Sequence, residues 1–261
     1  AWRVALCAGI AASVLGAPAL GAQGTAQWFN PVSGNWADAA MWSTAPQFPN
    51  NGAPLGTTYH AVIEAQGGPY TVTLSTNIAL DRLSIAAPGA TLFHSGGTLT
   101  LNTASVLSEG VYRIENGVLD GAGDLLVNGT LDFRAGEMNG SGRTTIGSGG
   151  LLQMNAEAVL LSRTLRNDGL ASWSSGELVL VGGRFENRGE MQIDTNGGIR
   201  VVRTYQQSGV LSNLGLLVAT GTGQVKVIHS DTSSSFSFAN EGLVQIDCPS
   251  FLLDASGYHT G

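Results

Sequence analysis

Charge is scarce in this chain. Asp, Glu, Lys and Arg make up 12% of its 261 residues, about half the usual share, and Lys226 is the sole lysine. Acids outnumber bases 19 to 12, for a net charge of -7. A nucleic-acid surface or an anionic-membrane surface needs clustered Lys and Arg, so both are excluded as partners. Cysteine is nearly absent. Cys7 and Cys248 are the two present, and Cys7 falls in a leader-like segment, so the mature chain is expected to hold no internal disulfide. Helical periodicity is missing too: no 3.6-residue apolar stripe of useful length follows residue 22. Beyond residue 67, Trp and Pro thin out to Trp173, Pro69, Pro88 and Pro249. What the chain has in excess is glycine, 37 residues or about twice average usage, with 43% hydrophobic content. Such a composition is too apolar for disorder.

The first 22 residues carry Arg3, an apolar run from Val4 to Leu20, and small residues around Ala17, Ala19 and Ala22. A basic flank, an apolar stretch and an A-x-A-like site define a secretory signal peptide over residues 1–22, with a retained anchor as the alternative. Almost no apolar run precedes Cys7, which argues against lipid attachment there. Residues 23–67 hold Trp28, Trp36 and Trp42, four prolines and the turn cluster Pro49-Asn50-Asn51-Gly52. This stretch reads as an irregular cap whose indoles fill one end of a larger core. An exposed aromatic platform for sugars is the alternative.

From residue 68 to residue 261 the pattern is short runs of period-two alternation. Examples are Tyr70–Leu74, Thr98–Leu101, Leu178 with Leu180, Met191 with Ile193, Ile199 with Val201, Val225 with Val227, and Val244 with Ile246. An Asn-x-Gly element punctuates them at Asn167, Asn187, Asn213 and Asn240, its glycines 20, 26 and 27 residues apart. A theme recurring at that spacing marks a solenoid, each coil burying its inward face against the next. The expected reason for Asn and Gly at these corners is positive φ. The fold class that follows is all-β, a right-handed parallel β-helix (β-solenoid) with an irregular Trp-rich N-terminal cap. A jelly roll or antiparallel sandwich is the competing arrangement. The final residues, Ser256 to Gly261, read as mid-coil, so the chain is expected to be a fragment of a longer protein.

The segment Trp28-Phe29-Asn30-Pro31-Val32-Ser33-Gly34-Asn35-Trp36-Ala37-Asp38, followed by Met41-Trp42-Ser43, resembles the opening of large secreted bacterial proteins of the autotransporter-like and PEP-CTERM-associated repeat type, common in planctomycetes. Tyr59–Ile63, Tyr70–Leu74, Leu83–Ile85 and Gly136–Gly142 with Thr145-Ile146 resemble later parts of that pattern. The resemblance implies display outside the cell on a β-helical stalk, and no defined reaction.

Chemistry-bearing motifs are few. No Gly-x-Ser-x-Gly elbow occurs, and the Gly-x-Gly pairs (Gly121/Gly123, Gly140/Gly142, Gly147/Gly149, Gly221/Gly223) lack the phosphate-loop continuation. His60, His94, His229 and His259 are not at zinc-ligand spacing and read as surface or corner residues. Cys248, within Val244–Cys248, reads as a buried small hydrophobe. Asp120-Gly121-Ala122-Gly123-Asp124, with Asp132 beyond, loosely resembles a calcium-binding β-roll turn, but it occurs once where such turns work in tandem. The same three acids, with Arg113 and Arg134 nearby, are the candidates for a polysaccharide-cleaving site, although no lyase or glycosidase motif surrounds them. The expectation is therefore a non-catalytic secreted or cell-surface β-solenoid, a structural stalk or adhesin-like region, without cofactor, metal or catalytic residue. Its partners would be extracellular glycans or cell-surface components. The alternative is a polysaccharide-binding or polysaccharide-cleaving β-helix.

Overall fold

The computed structural model describes residues 23–259, except 197, 205–206, 230–234 and 255. The expected signal peptide lies outside the described residues. Among the described residues, nearly all the regular structure is strand, with one three-residue 3₁₀ turn, Ala39–Met41. Among the described residues, no helix is long and apolar enough to cross a membrane.

The chain winds into a parallel β-helix with three strands in a typical coil. One face is an eleven-strand sheet that opens with Gln23–Trp28, Thr58–Ile63 and Arg82–Ile85 and closes with Ser256–His259. The other two faces are joined into a single seventeen-strand network. The join has an identifiable cause. Leu151–Leu161 and Leu170–Leu180 are long enough to serve both faces, and they turn the corner through register shifts near Asn155. The N-terminal part of Leu151–Leu161 pairs with Thr130–Phe133 and its C-terminal part with Ala135–Met138. Among the described residues, every strand-to-strand ladder is parallel. An isolated antiparallel bridge links Trp28 to Trp42. That excludes the sandwich and the jelly roll, which are built from antiparallel neighbours.

Alternation sets the core. Tyr70, Val72 and Leu74 point inward, as do Leu99 and Leu101, Met191 and Ile193, and Val225 and Val227. Thr71, Thr73, Thr98 and Thr100 take the outer face. Stacked strands lie about 4.8 Å apart, so each inward side chain touches its counterparts in the coils above and below. At Ile199–Thr204 the expected phase is corrected. The inward positions are Arg200, Val202 and Thr204, and Val201 faces outward. An arginine in the core disguised the alternation. Val244 and Ile246 are half-buried and exposed, respectively.

The Trp-rich segment is less irregular than expected. Gln23–Trp28 and Thr58–Ile63 pair in full register and form the first two rungs of the eleven-strand sheet. Between them the chain makes a loop that plugs the end of the core. Trp28, Trp36 and Trp42 are completely buried. Trp28 meets Trp42 edge to face at 5.2 Å between centroids, and Trp36 lies 4.7 Å from Trp42. Each indole N–H donates to a backbone carbonyl: Trp28 to Val32, Trp36 to Pro49 and Trp42 to Trp36. These rings fill a core and offer no platform to a sugar.

Candidate functional site

One column of the eleven-strand sheet organises the interior. Read coil by coil, its occupants are Trp28, Ile63, Ile85, Leu107, Val127 and Ile146, then Asn167, Asn187, Asn213 and Asn240. All four asparagines are fully buried. Each side-chain amide donates to the next: Asn167 to Asn187 at 2.8 Å, Asn187 to Asn213 at 2.7 Å, and Asn213 to Asn240 at 2.7 Å. The second N–H of each of the first three reaches a carbonyl in the following coil, on Glu190, Leu216 and Leu243. Where the aliphatic column meets the amide column, Ile146 offers nothing to Asn167, whose Oδ1 is buried and unpaired. The accompanying glycines have a different cause from the one expected. Gly169, Gly189, Gly215 and Gly242 do not adopt positive φ. A Cβ on any of the last three would overlap the carbonyl oxygen of the equivalent glycine one coil below. Close approach of stacked backbones excludes a side chain there.

Two arginines that the sequence reading passed over serve a similar end. Arg163 is 3% exposed and folds back across two coils, donating from Nε to the Gly142 carbonyl at 2.7 Å and from Nη2 to Gly123 at 3.0 Å. Burial pushes its pKa down, and the Asp124 and Asp120 carboxylates and the Tyr112 ring oppose that shift. Arg200 is 4% exposed and clamps the carbonyls of Ser174, one coil below, and Asn196.

His94 is a corner residue, as expected, but it is wholly buried. Its Nε2 lies 3.1 Å from the Gly97 carbonyl, which can only accept, so Nε2 carries the hydrogen and Nδ1 accepts from the Tyr112 hydroxyl at 3.0 Å. Burial pushes the ring's pKa down to about 4, against the pull of the Gly97 and Gly96 carbonyls. His60 is half-buried beside the Ser84 hydroxyl, at 2.8 Å, and burial lowers its pKa as well. The side chains of His229 and His259 lie outside the described residues. Cys248 is half-buried against the core and does not reach full burial.

The acids considered for calcium or cleavage are each engaged by a partner. Asp132 is 2% exposed and sits between Arg113, at 2.8 Å, and Arg134, at 3.0 Å. Asp120 accepts from the Gly121 N–H and Asp124 from the Arg143 N–H, both at 2.7 Å. Among the described residues, no three His, Cys, Asp or Glu side chains form a metal-holding group.

Outside the core, a polar groove of about 490 Å³ crosses three coils. Hydroxyls of Ser172, Ser174 and Thr220, amides of Gln192 and Asn196, and the Asp194 carboxylate line it, with Val218 as the apolar patch. The parallel register builds it. Ser172, Gln192 and Val218 are stacked partners, as are Asp194 and Thr220. Asp194 Oδ1 accepts from the Asn196 N–H at 2.8 Å, and the Arg200 clamp holds the Ser174 and Asn196 backbones that form one wall. Strand alternation predicts that these side chains face outward. It does not predict that they meet, because partners in neighbouring coils are 20 or more residues apart in sequence.

No family model, no curated protein and no solved structure matches this chain.

Proposed function

We propose that this chain is a non-catalytic β-solenoid displayed outside the cell, serving as a stalk, a matrix component or an adhesive surface. One observation carries the reading: the buried polar groups are used coil against coil. The asparagine column and Arg163 satisfy neighbouring rungs, and His94 accepts from the Tyr112 hydroxyl of the next coil. The acids that could have cleaved a polysaccharide hold arginines or backbone N–H groups instead. The leader-like N-terminus and the resemblance of the Trp-rich opening to secreted bacterial repeat proteins support export.

The reading is tested by incubating the purified chain with pectin, alginate, xylan and cellulose. No release of reducing ends or unsaturated uronates is expected, and sustained release from any of them overturns the non-catalytic assignment. Export is tested separately by expressing the chain with its own N-terminus and sequencing the mature product. Cleavage at one of the small-residue sites, after Ala19 or Ala22, is the expected result.

A further inference from the structure

We infer that the groove across Ser172, Gln192, Asp194 and Thr220 binds an extended, uncharged polysaccharide chain. This goes beyond the structural role proposed above, which stands with or without a ligand. Three features of the groove select the ligand. The lining is hydroxyl and amide groups and one carboxylate with a single aliphatic patch, a donor and acceptor set that matches sugar hydroxyls and suits neither lipid nor apolar peptide. Its charge is negative. Asp194 lies in it, Glu190 bonds the Gln192 amide at 2.7 Å, and Asp247 is the next register partner beyond Thr220. The nearby cation, Arg200, is buried and clamps two backbone carbonyls. Uronates, sulfated glycans and phosphates are therefore disfavoured. The third feature is spacing. Lining groups repeat at the coil rise of about 4.8 Å along the solenoid axis, close to the advance per residue of an extended pyranose chain. Among the described residues no aromatic ring lines the groove, so contact there rests on hydrogen bonds made in competition with water. Dissociation constants on the order of 1 mM follow.

The test is saturation-transfer NMR and titration of the full chain with cellotetraose, mannotetraose, xylotetraose, trigalacturonate and a glucosamine tetramer. At least one of the three neutral tetrasaccharides is expected to bind. Asp194→Ala and Gln192→Ala are each expected to weaken that binding roughly tenfold. Thr98→Ala, on a different face, should leave it unchanged. Because Asp194 also caps the Asn196 N–H, Gln192→Ala is the variant that separates binding from local folding. The inference is overturned if no neutral probe binds, if trigalacturonate or the glucosamine tetramer binds in preference, or if both groove variants retain full binding. None of these outcomes bears on polysaccharide turnover, so this inference and the non-catalytic reading fail independently.

Discussion

The side-chain amide of Asn187 donates to Oδ1 of Asn213 at 2.7 Å, although the two residues are 26 positions apart. The bond lies inside the solenoid, where both side chains are fully shielded from water. It is one rung of a column in which Asn187, Asn213 and Asn240 each give and receive, so several polar side chains share one hydrophobic interior at little cost. Removing one member leaves a donor and an acceptor stranded, and a stranded buried group costs about 1–3 kcal/mol.

Asn187→Asp tests that accounting. The substitution keeps size and shape but places carboxylate oxygens against the acceptor of Asn213. A loss of roughly 3 kcal/mol at neutral pH is expected. Burial raises the folded-state pKa of the new carboxyl above its unfolded value. The variant is therefore penalised least near pH 3.5 and loses stability as pH rises to the folded value. Urea denaturation of both chains at pH 3.5 and pH 7 measures this. Equal losses at the two pH values would show that the column does not require a donor at this position.

Gly189→Ala should be disruptive although the glycine has no unusual φ. Its Cβ would overlap the carbonyl of Gly169, a backbone atom fixed by the rung below. Overpacking of this kind costs about 1–3 kcal/mol. Gly149→Ala is the control, since a Cβ there meets nothing within 4 Å. Melting temperatures that drop for both or for neither would contradict the close-approach account.

His94 couples stability to acidity. The ring is held neutral with a pKa near 4, below the ordinary 6.5. Between those values the unfolded chain binds a proton that the folded chain refuses. The contribution is complete above pH 6.5 and is lost as pH falls to 4, on the order of 3 kcal/mol. His94→Phe removes this dependence, while His60 and the carboxylates stay common to both chains. The stability difference between the two chains should shrink from pH 7 to pH 4. A constant difference would mean that His94 does not titrate as described.

Arg163→Met strips two carbonyls, on Gly142 and Gly123, of a shared donor while retaining much of the side-chain volume. Hydrogen bonds to a charged donor contribute roughly 1.5–3 kcal/mol each, partly offset by relief of the buried charge. A net loss of about 2 kcal/mol is expected. Arg163→Lys should recover little of it, because an ammonium cannot reproduce the planar fork that reaches two coils at once. Full stability in the methionine variant, read by urea titration, would remove Arg163 from the stacking machinery.

Much of this architecture was legible before any coordinates. Tyr70–Leu74 and Thr98–Leu101 appear as strands with the expected faces, because period-two alternation is a local property of a half-buried strand. The indoles of Trp28, Trp36 and Trp42 are core, as residues of that size usually are. The Asn-x-Gly spacing located the coils correctly but for a mistaken reason. Turn chemistry was inferred, whereas the asparagines end strands and face inward. Where a charged residue occupied an inward position, as at Arg200, alternation pointed to the wrong face. Arg163 gave no local signal, because its partners lie 21 and 40 residues back.

The amino-acid sequence alone determined that this protein is all strand, that its strands recur as stacked coils, and which large side chains fill the interior. Those properties depend on patterns within ten residues or on repetition along the chain. Tertiary structure alone decided that Ile146 yields to Asn167 in one column, that Asp132 is held between Arg113 and Arg134, and that Ser172, Gln192 and Asp194 share a groove. Lateral register between coils places residues some 20 positions apart within a few ångströms of each other, and that register is set by the packing of the whole solenoid.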